Sequence, residues 1–186
     1  MKWTRRRVLH AGGALMGMSA AGLWEAPVRA QPQDAARAAR RVALTNLHTG
    51  ESLDVEFFRD GDYVPGAFAA LRGLLRDFRN GEQHDIDPKL MDILHAAAQR
   101  SGLDPVFSVI SGYRSPQTNE ALRERSNGVA RHSLHLEGRA IDVRHAGIDC
   151  AELAGTGLGL ALGGVGYYRR SDFVHLDTGA FRTWKG

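Results

Sequence analysis

The chain is poor in the residues that staple or stiffen a protein: among 186 residues it has one cysteine, Cys150, and six prolines. A lone thiol excludes an internal disulfide and the multi-cysteine zinc ribbons, so stability must come from a hydrophobic core, a metal, or both. The apolar stretch at residues 11–23 is shorter than the ~20 residues a membrane-spanning helix needs. Internal repeats and low-complexity tracts are absent, and the length suits one domain.

The positive charge is unevenly spread. The N-terminus, "MKWTRRRVLHAGGALMGMSAAGLWEAPVRA", places Arg5, Arg6 and Arg7 before a Gly/Ala-rich apolar segment that ends in small residues. This is the pattern of an export signal over residues 1–30, and "TRRRVLH" fits the twin-arginine type. Removing it takes five basic residues and one acidic residue, so the formal charge of +3 becomes −1. A nucleic-acid partner is therefore not expected, nor a membrane span once the signal is gone. The expected location is exported, periplasmic or at the cell envelope. Oligomeric state is not legible.

Residues 31–41 lack apolar periodicity and read as a flexible leader to a domain over 42–186. "RVALTNLHTGESLDVEFF" alternates apolar and polar residues around a short Gly-containing link, the pattern of a hairpin. Phe68, Leu71, Leu75 and Phe78 recur at helical spacing after Pro65. A second helix is predicted from Asp87 as N-cap and Pro88 at its first position to Gly102 just past its end. A strand at residues 106–110, a sharp exit at Ser111 and Gly112, and a short helix after Pro116 follow. His48, His84 and His95 read as surface or structural residues. The fold class expected is α+β, one domain with a small antiparallel sheet flanked by helices.

The chemistry concentrates in "HSLHLEGRAIDV" and "SDFVHLDTG". In the first, Ala140 and Asp142 share one strand face, and Gly138 allows a turn that folds His135 back toward Asp142. In the second, Phe173, His175 and Asp177 share a face. Carboxylates and imidazoles on half-buried strands are costly unless paired or bound to a cation. His135, Asp142 and His175 together form a two-nitrogen, one-oxygen set suited to zinc, with a fourth position left for water. Each histidine taken singly also reads as an ordinary core residue.

Ser133, His135, Gly138, Ala140 and Asp142 resemble the S-x-H-x-x-G-x-A-x-D signature of the zinc D-alanyl-D-alanine peptidase family. "SGYRS" at 111–115 and "GGVGYYRRSDFVHLDTG" at 163–179 are similar to the same family, and in particular to its murein endopeptidase K group. The resemblance covers essentially the whole chain after the signal. It implies the hedgehog/DD-peptidase fold and a single zinc ion, with hydrolysis of peptide bonds in peptidoglycan cross-links. It also implies His135, Asp142 and His175 as ligands and Arg114 as the arginine that binds the oxyanion or substrate. Ser133 is expected to orient a ligand or to serve as a turn residue. For the group that takes the water's proton, Asp177 is preferred on its shared face with His175. Asp172, three residues before that histidine, is the alternative. Two rival readings remain open: a serine hydrolase using Ser111 or Ser133, which no nucleophile-elbow sequence supports, and a zinc-stabilised module that binds cell-wall peptides without cleaving them.

Overall fold

The computed structural model describes residues 37–125 and 128–186; the expected signal and the first part of the leader lie outside them. The hairpin is formed by β1 (Arg40–Asn46) and β2 (Ser52–Arg59), with a short β3 (Asp62–Tyr63) beside it. Strand β1 begins inside the expected leader. The reason is Arg40, whose guanidinium lies 3.5 Å over the Phe58 ring and pairs with Asp92, so this residue is anchored on both sides.

Helices α1 (Pro65–Leu74) and α2 (Pro88–Arg100) each start at a proline, where a missing N–H costs nothing. The Asp87 carboxylate caps α2 by accepting from the Lys89 amide at 3.0 Å. Helix α1 stops short of the predicted Phe78. Its last carbonyls are taken by other segments: Leu74 O accepts from Asn46 Nδ2 at 3.1 Å, and Leu75 O from the Tyr113 amide at 2.8 Å. Next come β4 (Val106–Ser111), α3 (Pro116–Arg125), a 3-10 turn (Leu134–Glu137) and β5 (Ala140–His145). Then follow α4 (Cys150–Leu160), β6 (Gly164–Tyr168), β7 (Phe173–Asp177) and β8 (Arg182–Lys185). Two of these, α4 and β8, have no counterpart in the sequence expectations.

Among the described residues one sheet runs β3-β2-β1-β4-β5-β7-β6-β8, eight strands rather than a small sheet. It is mixed: β1 pairs parallel with β4, and β6 parallel with β8. On one face Leu44, Phe107, Ile141 and Leu176 are buried to 1 % exposure or less and join a single core with Leu94 and Leu153 of the helices. Burying each such side chain fully is worth about 1.5–3 kcal/mol. The opposite face carries the polar residues. There the register places Asp142, His175, Gly166 and Trp184 side by side across β5, β7, β6 and β8.

Candidate metal centre

Strand pairing alone brings Asp142 beside His175. His135 arrives from the 3-10 turn, which Gly138 closes at φ +63°. A Cβ at that glycine would overlap the Asp85 carbonyl oxygen, so both the backbone conformation and the close approach require glycine. The result is a buried trio with 2, 5 and 8 % exposure for His135, Asp142 and His175.

The atoms that face one another are His135 Nε2, His175 Nδ1 and Asp142 Oδ1. Their separations are 3.2 Å between the nitrogens, 3.3 Å from His135 to Asp142 and 2.9 Å from His175 to Asp142. Two donors on one tetrahedral zinc, each 2.0–2.1 Å away, sit about 3.3 Å apart. The triangle therefore has the size of one face of a zinc tetrahedron.

The ring protons are committed on the far sides. His135 Nδ1 donates to the Gly112 carbonyl at 2.7 Å, and His175 Nε2 donates to Asp177 Oδ2 at 3.0 Å. These bonds leave His135 Nε2 and His175 Nδ1 as bare lone pairs aimed at a carboxylate oxygen, an arrangement that repels itself unless a cation stands among the three. The electrostatics show the same demand for positive charge, which a proton on His175 Nδ1 meets where no cation stands there. Burial lowers the pKa of His135. Burial also opposes a charge on His175, but hydrogen bonds to Asp142 and Asp177 outweigh it and raise that pKa. Asp142 is held well below the usual carboxylate range: burial works against it, and the neighbouring histidines prevail. The site is built for net positive charge at its centre.

A cleft of about 520 Å³ opens over the trio. Arg114 lines it with its side chain 12 % exposed. Its amide donates to His135 O at 3.1 Å, its Nη1 to Asn119 Oδ1 at 3.3 Å, and its Nη2 stands 4.0 Å from Asp142 Oδ2. Its Nε is buried without a hydrogen-bond partner among the described residues. The turn that carries it is fixed by the buried Asp77, whose Oδ2 accepts from the Ser115 amide at 3.0 Å and the Ser115 hydroxyl at 2.8 Å. Gly112 lets that turn lie against α1, since a Cβ there would stand 2.6 Å from Leu75 O. Across the cleft, Tyr168 stacks on Phe173 at 4.5 Å and its hydroxyl accepts from Trp184 Nε1 at 2.9 Å.

Asp177 lies at the Nε2 side of His175, away from the Nδ1 that faces Asp142. Its side chain is wholly enclosed and is not part of the cleft wall. Besides His175 it accepts from Gly164 N at 3.1 Å, Gly179 N at 2.8 Å, and both terminal nitrogens of Arg182. Sharing a strand face with His175 put Asp177 in reach of the far ring nitrogen, which strand parity alone does not distinguish from the cleft side. Asp172 is also outside the cleft wall: its side chain is 69 % exposed, 3.6 Å from Arg144 Nε. Ser133 caps the 3-10 turn through its backbone, its carbonyl accepting from Leu136 N at 3.0 Å. The sequence reading missed Asp77, Arg182 and Trp184. The Gly-x-Gly of β6 was the available signal for the last two.

A family model, Peptidase_M15_2, described as peptidoglycan L,D-endopeptidase MepK, matches residues 34–184. The chain is 40 % identical over 180 residues to the peptidoglycan L,D-endopeptidase MepK of Escherichia coli (strain K12), covering 97 % of this chain and 96 % of that protein. It is 37 % identical over 183 residues to the probable peptidoglycan L,D-endopeptidase MepK of Haemophilus influenzae, covering 98 % and 96 % respectively. No solved structure matches.

Proposed function

This chain belongs to the Peptidase_M15_2 family of MepK-type peptidoglycan L,D-endopeptidases, and from that premise we propose that it is a zinc-dependent endopeptidase cutting L,D peptide bonds in peptidoglycan cross-links. The observation that carries the reading is the convergence of His135 Nε2, His175 Nδ1 and Asp142 Oδ1 within 3.3 Å of one another, with both ring protons committed elsewhere. These three residues would hold the metal. Zinc, when bound, supplies Lewis-acid polarisation of the scissile carbonyl and of an attacking water.

The chain's own groups do the rest. Arg114, on the cleft wall, offers its guanidinium to a substrate oxygen, either the carbonyl as it gains negative charge or a stem-peptide carboxylate. Tyr168, Phe173 and Trp184 form an apolar wall against which the peptide lies. Asp177 holds His175 by its Nε2 proton, which keeps the Nδ1 lone pair turned to the centre.

Residues 1–30 are proposed as a twin-arginine export signal, which would deliver the folded domain to the envelope where its substrate lies. No described helix is long and apolar enough to cross a membrane. N-terminal sequencing of the exported form should begin at Gln31, and a start elsewhere would correct the boundary. The activity is tested by incubating the protein with cross-linked muropeptides, with and without a chelator. Mass analysis should show new amine termini at an L,D bond, and the chelator should abolish them. Chelator-insensitive cleavage would exclude zinc catalysis, and intact substrate beside stoichiometric zinc would mark a binding module instead.

A further inference from the structure

We propose that Arg182 is a positioning residue of the metal centre, brought across β6 over the side-chain-free position Gly164 and acting through Asp177 on His175. The inference rests on reading the trio as a metal site. Strand β8 lies at the edge of the sheet, and β6 separates it from β7. Two strand spacings, about 9.6 Å, therefore lie between Arg182 and the row that holds Asp177 and His175. A side chain on β6 facing the site would block that path. At the two positions where this matters, β6 has glycine.

Gly164 pairs with Arg182, and Gly166 with both His175 and Trp184. Over Gly164 the guanidinium reaches Asp177, donating from Nη1 to Oδ1 at 3.0 Å and from Nη2 to Oδ2 at 2.7 Å. Over Gly166 the Trp184 ring comes within 5.1 Å of the His175 ring. A Cβ at Gly164 would stand 2.5 Å from both Arg182 Nη1 and Asp177 Oδ2, and one at Gly166 would stand 2.5 Å from Trp184 Cε2. Neither glycine has a positive φ. Their absence of a side chain matters here for space rather than for backbone freedom.

The two parallel hydrogen bonds fix the plane of the Asp177 carboxylate, and that plane decides where Oδ2 points. Oδ2 accepts the His175 Nε2 proton at 3.0 Å, so Arg182 sets the tautomer and orientation of a ligand that it does not touch. Charge and geometry make opposite predictions for this residue. As a nearby cation, Arg182 disfavours a metal ion, and its removal would tighten binding. As a clamp, its removal frees the carboxylate and weakens binding.

The test measures zinc affinity of the purified protein by competition with a chromogenic chelator at fixed pH, alongside the visible spectrum of the cobalt-loaded protein. Arg182→Met should weaken zinc binding, by no more than the about 10–100-fold that losing the partner directly behind a ligand costs, and should alter the cobalt bands. Arg182→Lys keeps the charge and should fall between. Gly164→Ala retains every charged group but wedges the pair apart, and should behave like Arg182→Met. Thermal unfolding of the metal-free variants separates loss of the terminal strand from loss of the clamp, and Arg182→Lys and Gly164→Ala decide the matter if Arg182→Met fails to fold. Unchanged or tighter zinc binding in the folded variants overturns the inference while leaving the metal reading intact. Absence of zinc binding by the wild-type protein overturns both.

Discussion

His135 and His175 present different ring nitrogens to the same point, and the reason lies behind each ring. Gly112 O occupies the Nδ1 side of one and Asp177 the Nε2 side of the other. Asp177→Asn is therefore expected to lower zinc affinity by about 10–100-fold while much of the turnover survives at saturating zinc. Were Asp177 instead the group that takes the water's proton, zinc affinity would hold and turnover would fall; zinc titration followed by rate measurement separates the two. Asp142→Ala removes the only anionic ligand of the trio and should abolish stoichiometric zinc binding, as read by metal analysis after dialysis. At the residue scale the sequence showed the trio well. Strand parity placed Asp142 and His175 on polar faces, and Gly138 announced the turn that returns His135. Parity says which face a side chain occupies and nothing about which of its neighbours it meets, so it did not show that Asp177 bonds His175 at Nε2.

At the scale of elements, the turn bearing Arg114 depends on a carboxylate from a different part of the chain. Burial opposes the charge on Asp77, but hydrogen bonds from the Thr118 hydroxyl and from the Ser115 amide and hydroxyl outweigh it, holding its pKa below the ordinary value. A depressed carboxylate pKa contributes stability above the unfolded value of about 3.9 and loses it as pH falls through the folded value. Asp77→Asn should thus flatten the acid limb of the stability curve below about pH 4. Asp77→Ala should cost about 1–3 kcal/mol at neutral pH by stranding buried donors, measured by urea unfolding. Helices α1 to α3 were legible because Pro65, Pro88 and Pro116 mark their starts. Helix α4 was not. Its sequence "CAELAGTGLGL" is glycine-rich, and Gly157 packs beneath Val165 and Leu176, where a Cβ would stand 3.1 Å from Leu176 Cδ2. Strand β8 is four residues long and polar, too short for alternation to register.

For the whole molecule, a metal that binds only the folded state stabilises it by mass action, by about 4 kcal/mol at a thousandfold excess over Kd. For a domain of this size that corresponds to roughly 10 °C in Tm. Calorimetry with zinc and with excess chelator should show a difference of that order, and identical midpoints would speak against a metal-supported fold. The sequence by itself determined the donor set, the hairpin, the α+β class and the family, because these depend on residue type and short spacings along the chain. Only the tertiary structure decided the eight-strand order, the enclosure of Asp177 and the reach of Arg182 and Trp184 across two glycines. Those features arise between segments far apart in sequence, where what a side chain touches is set by strand registry and by the space its neighbours leave empty.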